Sequence, residues 1–206
     1  KFRHRLIDAN PIGTHHSVCL VGDLNGDGFE DVIIGNYVID GSSEGTLAWY
    51  EYPDWKRHIM ARANLEAGGT VFDINGDGRL DIVAGQPYYG NELYWFENPS
   101  DPTRQWPRHV IENGYRKYHD QAVGDIDGDE EDELLFSSQL GRVLAYYDIP
   151  PDPTASPWPR ECRHLICQDI AVEGLAIVDI DGDGVNETLA GPNIFKPPKD
   201  EGEGWS

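Results

Sequence analysis

A nine-residue loop, written four times over residues 23–31, 73–81, 125–133 and 179–187, constrains this chain more than any other feature. The first copy reads Asp23-Leu24-Asn25-Gly26-Asp27-Gly28-Phe29-Glu30-Asp31, and every copy puts an oxygen-bearing side chain at loop positions 1, 3, 5 and 9. A hard cation such as Ca2+ takes roughly six to eight oxygens at about 2.3–2.6 Å, and alternate residues of a tightly curled loop supply them. Position 7 (Phe29, Arg79, Glu131, Val185) varies freely, which suits a residue offering only its backbone carbonyl. Glycine at position 4 in every copy, and at position 6 in three, lets the backbone curl without a Cβ penalty.

Asp, Asn and Gly also dominate ordinary solvated turns, so one such loop would carry little weight. Four copies in one register, each with an acid at position 9, point to a divalent cation. An EF-hand is excluded, because it needs a glutamate at position 12 and a helix on each side. Position 12 here is Ile34, Ala84, Phe136 and Ala190, and the flanks are strand-like.

The loops explain much of the acidity. The 206 residues carry a formal net charge of −21, part of which bound cations would offset. Nucleic acid is excluded as a partner, since binding phosphates needs the opposite sign. Plentiful Trp, Tyr and β-branched residues separate the chain from a disordered acidic one. Its length allows one domain with a sizeable core. No stretch approaches the roughly 20 apolar residues that span a bilayer. No signal peptide is visible, and Lys1 in place of Met points to a processed or trimmed chain. Loops of this kind suit a calcium-rich exterior, so a secreted, extracellular or periplasmic location is expected. Three cysteines argue against a disulfide framework. Cys162 and Cys167 fall on opposite faces of a strand-like run, leaving Cys19 to pair with either, or all three as buried thiols.

Successive loops start 50, 52 and 54 residues apart, the signature of a repeat architecture. An Arg-His pair keeps the same beat (Arg3-His4, Arg57-His58, Arg108-His109, Arg163-His164), as do aromatic runs ending in proline at 49–53, 94–99 and 146–150. Short β-branched segments such as Val32-Ile33-Ile34 and Ile82-Val83-Ala84 complete each unit. All are short, apolar and bounded by Gly, Pro or Asp, so they predict strands. One unit is therefore a strand before the loop, a strand after it, the aromatic strand and the Arg-His strand. Repeated four-stranded antiparallel units of about 50 residues are β-propeller blades. The fold class is all-β, with repeats at about 8–60, 61–111, 112–165 and 166–206.

The Asp-x-Asp/Asn-Gly-Asp-Gly-x-x-Asp loop followed by an apolar strand and glycine (Ile33-Ile34-Gly35, Val83-Ala84-Gly85, Leu189-Ala190-Gly191) resembles the FG-GAP/VCBS repeat. That repeat builds the propellers of integrin α-subunits and of many secreted bacterial and fungal proteins. The resemblance covers essentially the whole chain and implies fold and calcium, not an activity. It implies up to four Ca2+ ions. Their ligands would be Asp23, Asn25, Asp27 and Asp31; Asp73, Asn75, Asp77 and Asp81; Asp125, Asp127, Asp129 and Glu133; and Asp179, Asp181, Asp183 and Glu187. Glu130 replaces the position-6 glycine in the third copy, which makes it the weakest expected site. Members of the family usually have seven blades, so the repeats are expected either to belong to a larger ring or to close as four, with a strand over residues 2–7 completing the last blade.

Chemistry is expected where each innermost strand begins, on the axial side of the blades. His15-His16, Glu66, Arg116 to Asp120 and Glu173 lie there. Imidazoles and carboxylates converging on one mouth bind a transition metal or act as acid and base. His119 is the candidate base, Tyr118 the acid and Arg116 a carboxylate neutraliser, with His16 and Glu173 beside them. Two functions follow. The first is a calcium-stabilised module that binds or assembles with glycans or extracellular proteins. The second is a carbohydrate-active enzyme, because propellers resembling this one include polysaccharide lyases and sugar dehydratases. Recurrence assigns the Arg-His pairs to the frame, and the aromatic strands, with Tyr88-Tyr89 before them, to the core rather than to sugar stacking. Asn186-Glu187-Thr188 is a glycosylation sequon inside a loop, where its use is not expected. The proline-rich stretches 149–159 and 197–204 are blade connections that could line a binding face.

Overall fold

Strand follows strand through the whole chain in the computed structural model, which describes residues 2–39, 43–198 and 204–206. The first sheet is β1 (His16–Gly22), β2 (Asp31–Asn36), β3 (Leu47–Glu51) and β4 (Lys56–Ala61). The second is β5 (Thr70–Phe72), β6 (Asp81–Gly85), β7 (Leu93–Phe96) and β8 (Arg108–Glu112). The third is β9 (Tyr118–Gly124), β10 (Glu133–Ser138), β11 (Val143–Asp148) and β12 (Arg163–Gln168). The last is β13 (Leu175–Val178), β14 (Glu187–Ala190) and β15 (Asn193–Phe195). Each sheet is an antiparallel meander in chain order, four-stranded three times and three-stranded once. Every acidic loop joins the first two strands of its sheet. The innermost strands meet in the order β1, β5, β9, β13, as propeller blades do, and among the described residues the sheets do not close into a ring.

The middle blades are covered on both faces, so β6, β7 and β10 are buried at every position and read as continuous apolar runs. Three clusters fill the seams. Trp49 and Ile33 of blade one meet Phe96 and Tyr94 of blade two; Trp95 of blade two meets Phe136 and Tyr147 of blade three; Tyr146 and Leu135 meet Ala190 of blade four. Removing a Trp side chain from water stabilises the fold by roughly 4–6 kcal/mol at most.

Two recurring devices lock the seams. Trp106 N–H donates to Met60 O at 2.9 Å and Trp158 N–H to Ile111 O at 3.0 Å, so the lead-in to each outer strand pairs with the outer strand of the blade before. The indoles of Trp49 and Trp106 both donate to Pro102 O, at 3.3 and 3.0 Å. Those of Trp95 and Trp158 both donate to Pro153 O, at 3.0 and 2.8 Å. Each proline sits in an Asp-Pro-Thr turn in which the Thr hydroxyl donates to the Asp at 2.6 Å. The stretch 149–159 therefore belongs to the frame, while 197–204 falls partly outside the described residues.

The histidines of the Arg-His strands form a second ladder. His58, His109 and His164 stack on Trp49, Trp95 and Tyr146 with centroids 4.5, 4.5 and 4.8 Å apart. Each histidine also pairs with the acid two residues past that ring, Glu51, Glu97 or Asp148, at 2.8–3.0 Å. Arg163 reaches back across the seam to Glu112 at 2.7 Å, a role in keeping with recurrence.

Some expectations do not hold. Residues 2–7 form no strand and do not complete blade four. They lie along blade one, where Arg5 sits 5.5 Å from the Trp55 ring and Asp8 pairs with Arg57 at 2.5 Å and accepts from the Tyr50 hydroxyl. Phe2 and Leu6 stay exposed. All three cysteines are free thiols; Cys19 is exposed rather than buried, because it faces the side of β1 that no blade covers.

Candidate metal loops and the axial cluster

All four loops share one hydrogen-bond plan. The position-1 aspartate gathers N–H groups from its own loop: Asp23 accepts from Gly26 at 2.8 Å and Gly28 at 2.8 Å, and Asp179 from Gly182 at 2.7 Å and Gly184 at 3.0 Å. The position-9 acid reaches back to the position-2 N–H, from Leu24, Ile74, Ile126 and Ile180 at 2.7–3.2 Å. Positions 4 and 6 are left-handed throughout, and Glu130 adopts φ 70° where the other copies have glycine at 85–91°. That substitution costs about 1 kcal/mol.

The donors fit a hard cation. In loop three the carboxylate oxygens of Asp125, Asp127 and Glu133, and in loop four those of Asp179, Asp181 and Glu187, lie within 4.8 Å of one another. One ion with oxygen bonds of about 2.4 Å spans that separation. In loops one and two Asn25 and Asn75 take the third position, with a neutral oxygen. Burial, and then neighbouring carboxylates, push Asp31 above its ordinary value and Asp81 and Glu133 up to about 7. Bound positive charge would relieve that cost. The loops also tie blades together: Asn98 donates to Leu24 O at 2.9 Å, and Asn186 donates to Asp125 O at 2.8 Å. The sequon's amide is thus engaged in the frame.

The axial residues gather only in part. His119 lies between two carboxylates, with Nδ1 2.8 Å from Asp120 Oδ2 and Nε2 3.3 Å from Glu173 Oε1. Asp120 also accepts from Gly174 N–H at 2.8 Å, and Glu173 accepts from the Gln139 amide. Glu66 is buried nearby with Oε2 unpartnered. The Asp120 hydrogen bond, and then the charges of Asp120, Glu173 and Glu66, hold the imidazole above its ordinary pKa against the effect of burial. The chain of Gly68, at φ 90°, passes so close that a Cβ there would stand 2.2 Å from His119 O.

Three candidates stand elsewhere. Tyr118 is fully buried, accepts from Tyr115 N–H at 3.1 Å and donates to Asn91 O at 3.3 Å, and burial drives its phenol far up. Arg116 donates to Tyr88 O at 2.6 Å, and His16 Nε2 lies 3.2 Å from Ile12 O. A bulge in the β9–β10 pairing, where Tyr118 faces Ser138 but Gln121 faces Phe136, turns Tyr118 inward and leaves His119 and Asp120 at the rim. Among the described residues the groups of three acidic or imidazole side chains placed to hold a metal ion are those of loops three and four, and they do not include the axial histidines. Tyr88 and Tyr89, expected in the core, are 46% and 71% exposed, and Tyr89 lines a cavity of about 170 Å3 with Val38, Asn64 and Gln86.

Antiparallel blades joined by acidic first hairpins and sealed by aromatic seams define a β-propeller built from one repeated blade. The profile of the FG-GAP-like repeat matches residues 23–84 and again 73–136, and the chain belongs to that family. It is 27% identical over 148 residues to aldos-2-ulose dehydratase of Phanerodontia chrysosporium, covering 60% of this chain and 16% of that protein. It is 24% identical over 165 residues to mouse (Mus musculus) integrin alpha-3, covering 69% of this chain and 16% of that one. In fold it is similar to the V. cholerae biofilm matrix protein Bap1, with a TM-score of 0.56 at 17% identity over 88% of this chain and 29% of that chain. The chain thus spans less than a third of each relative's length. Among the described residues no helix is long and apolar enough to cross a membrane.

Proposed function

We propose that the chain is a calcium-stabilised propeller segment that binds extracellular proteins or glycans, in a secreted, extracellular or periplasmic setting. The observation that carries this reading is the division of labour among its polar residues. Recurring acids build four alike loops and recurring histidines clamp the blades, while the axial candidates Tyr118, Arg116 and His16 find partners other than His119. Relatives among integrin alpha chains and the fold of a biofilm matrix protein support a matrix or cell-surface partner. For a glycan, the exposed rings of Tyr88 and Tyr89, with the Asn64 and Gln86 amides beside the latter, offer a stacking face with polar edges. Binding to arrayed glycans and matrix proteins, measured with calcium and with EDTA, tests this. Binding that survives His119→Ala but is lost in Tyr89→Ala supports it.

One observation favours a second reading, a sugar dehydratase or polysaccharide lyase. His119, flanked by Asp120 and Glu173 and near buried Glu66, is a plausible proton-transfer group, and one relative is a dehydratase of a sugar. Turnover of a ketose sugar or a uronate-containing polysaccharide, lost in His119→Ala, would overturn the binding-module reading.

A further inference from the structure

The position-9 acid of each loop opens the second strand of its blade and faces one particular rung at the end of the third. Register sets Glu133 opposite Asp148 and, carried one step past the last paired residues, aligns Asp31 with Glu51, Asp81 with Glu97 and Glu187 with Lys196. In blades one to three that rung is an acid turned outward to the histidine of the outer strand, at 2.8, 3.0 and 3.0 Å. In blade four its charge is reversed. No outer strand with a histidine follows among the described residues, and the ammonium turns into the loop. Lys196 Nζ stands 3.0 Å from Glu187 Oε1 and 3.9 Å from Asp183 Oδ2, and touches Asp181 Oδ2. Its backbone is pinned on both sides, donating to Ser206 O at 2.9 Å and accepting from Ser206 N–H at 3.3 Å.

The other loops lack this arrangement. Arg79 in loop two touches only Asp77 among the loop's acids and gives its Nε–H to Asn98 O at 2.8 Å. Among the described residues no lysine or arginine is ion-paired to the acids of loops one and three.

We propose that Lys196 is the resident cation of the fourth loop: its tethered ammonium takes the place of the ion, so loop four binds calcium last and only by displacing it. This rests on the calcium reading of the loops. Loops one to three need an ion to balance their acids, whereas blade four keeps its hairpin partly neutralised when calcium is scarce. A unit charge a few ångströms from the incoming ion opposes it strongly enough to weaken binding by roughly tenfold or more.

Calorimetric titration of the chelator-stripped full chain with Ca2+, with ions counted by native mass spectrometry, tests this. The wild type should show one ion roughly tenfold or more weaker than the tight class, and Lys196→Met should move that ion into the tight class. Adding Asp179→Asn to Lys196→Met should remove the same ion, which places it in loop four. Because Lys196→Met also puts an apolar side chain beside the loop, Lys196→Gln, equally uncharged but polar, is run beside it with melting as a second readout. Calcium should raise the Tm of Lys196→Gln more than that of the wild type. Equal Tm gains, or an ion set unchanged by either substitution, would overturn the inference. Absence of ions from loops one to three as well would instead overturn the calcium reading on which it rests.

Discussion

The outer ladder and the axial rim use the same pair of residue types to different ends. His58, His109 and His164 each stack on an aromatic ring and pair with one acid two residues along the same strand as that ring. His119 stacks on no ring among the described residues and bridges Asp120 to Glu173, which belongs to the connection entering the next blade. Three copies of one arrangement mark a frame, since a binding surface rarely needs the same contact at every 50-residue step. The unrepeated arrangement is where a ligand or a reaction has room to be specific.

Removing calcium should break the frame most severely. If the acid clusters bind ions only when folded, each site at a hundredfold excess over its Kd adds about 2.7 kcal/mol. Differential scanning calorimetry with and without EDTA should therefore show the largest fall in Tm of any perturbation here. An unchanged melt would mean that the loops are acidic turns that need no ion. Next comes the seam. Trp95 is wholly buried and donates to Pro153 O, so Trp95→Ala should cost about 3–5 kcal/mol in urea unfolding, with calcium held constant. A loss under 1 kcal/mol would show that blades two and three are held by something other than their aromatic seam.

The ladder itself should weaken in order of burial. The side chains of His58, His109 and His164 are 7%, 17% and 41% exposed. A stacked ring contributes about 0.5–1.5 kcal/mol, and an exposed ion pair little more. Alanine substitutions should therefore destabilise most at His58 and least at His164. Equal losses at all three would break the link between exposure and contribution.

The frame was legible in the amino-acid order because it is periodic. Loops, apolar strands, aromatic runs and Arg-His strands repeat at one spacing, and the blades follow from that. What was missed depends on register. Tyr118 and His119 are adjacent, and only the bulge opposite Ser138 decides which turns inward. The Asp-Pro-Thr turns at 101–103 and 152–154 occur twice and were readable, yet their partner indoles lie up to 58 residues away in sequence. Lys196 differs in charge from Glu51, Glu97 and Asp148, but it aligns with them only once strand pairing is known.

The smallest expected effect bears most directly on the rim. Hydrogen bonding to Asp120, and then nearby carboxylate charge, raises the His119 pKa in the folded chain despite burial. Burial works against Asp120 ionising, but its bonds to His119 and Gly174 outweigh it and hold that carboxyl below its ordinary value. A raised imidazole stabilises the fold fully below its unfolded value of about 6.5 and loses that contribution as pH climbs through the folded value. A depressed carboxyl contributes above about 3.9 and loses that contribution as pH falls through its folded value. The pair is therefore strongest between about pH 4 and 6.5 and fades on the alkaline side. Urea unfolding of wild type and His119→Gln, in fixed calcium, should differ most near the middle of that window and converge at higher pH. The acidic loops titrate alike in both proteins, so the difference isolates the rim. A gap that stays constant across the pH range would mean that His119 acts by shape rather than charge, leaving the rim as one more piece of frame.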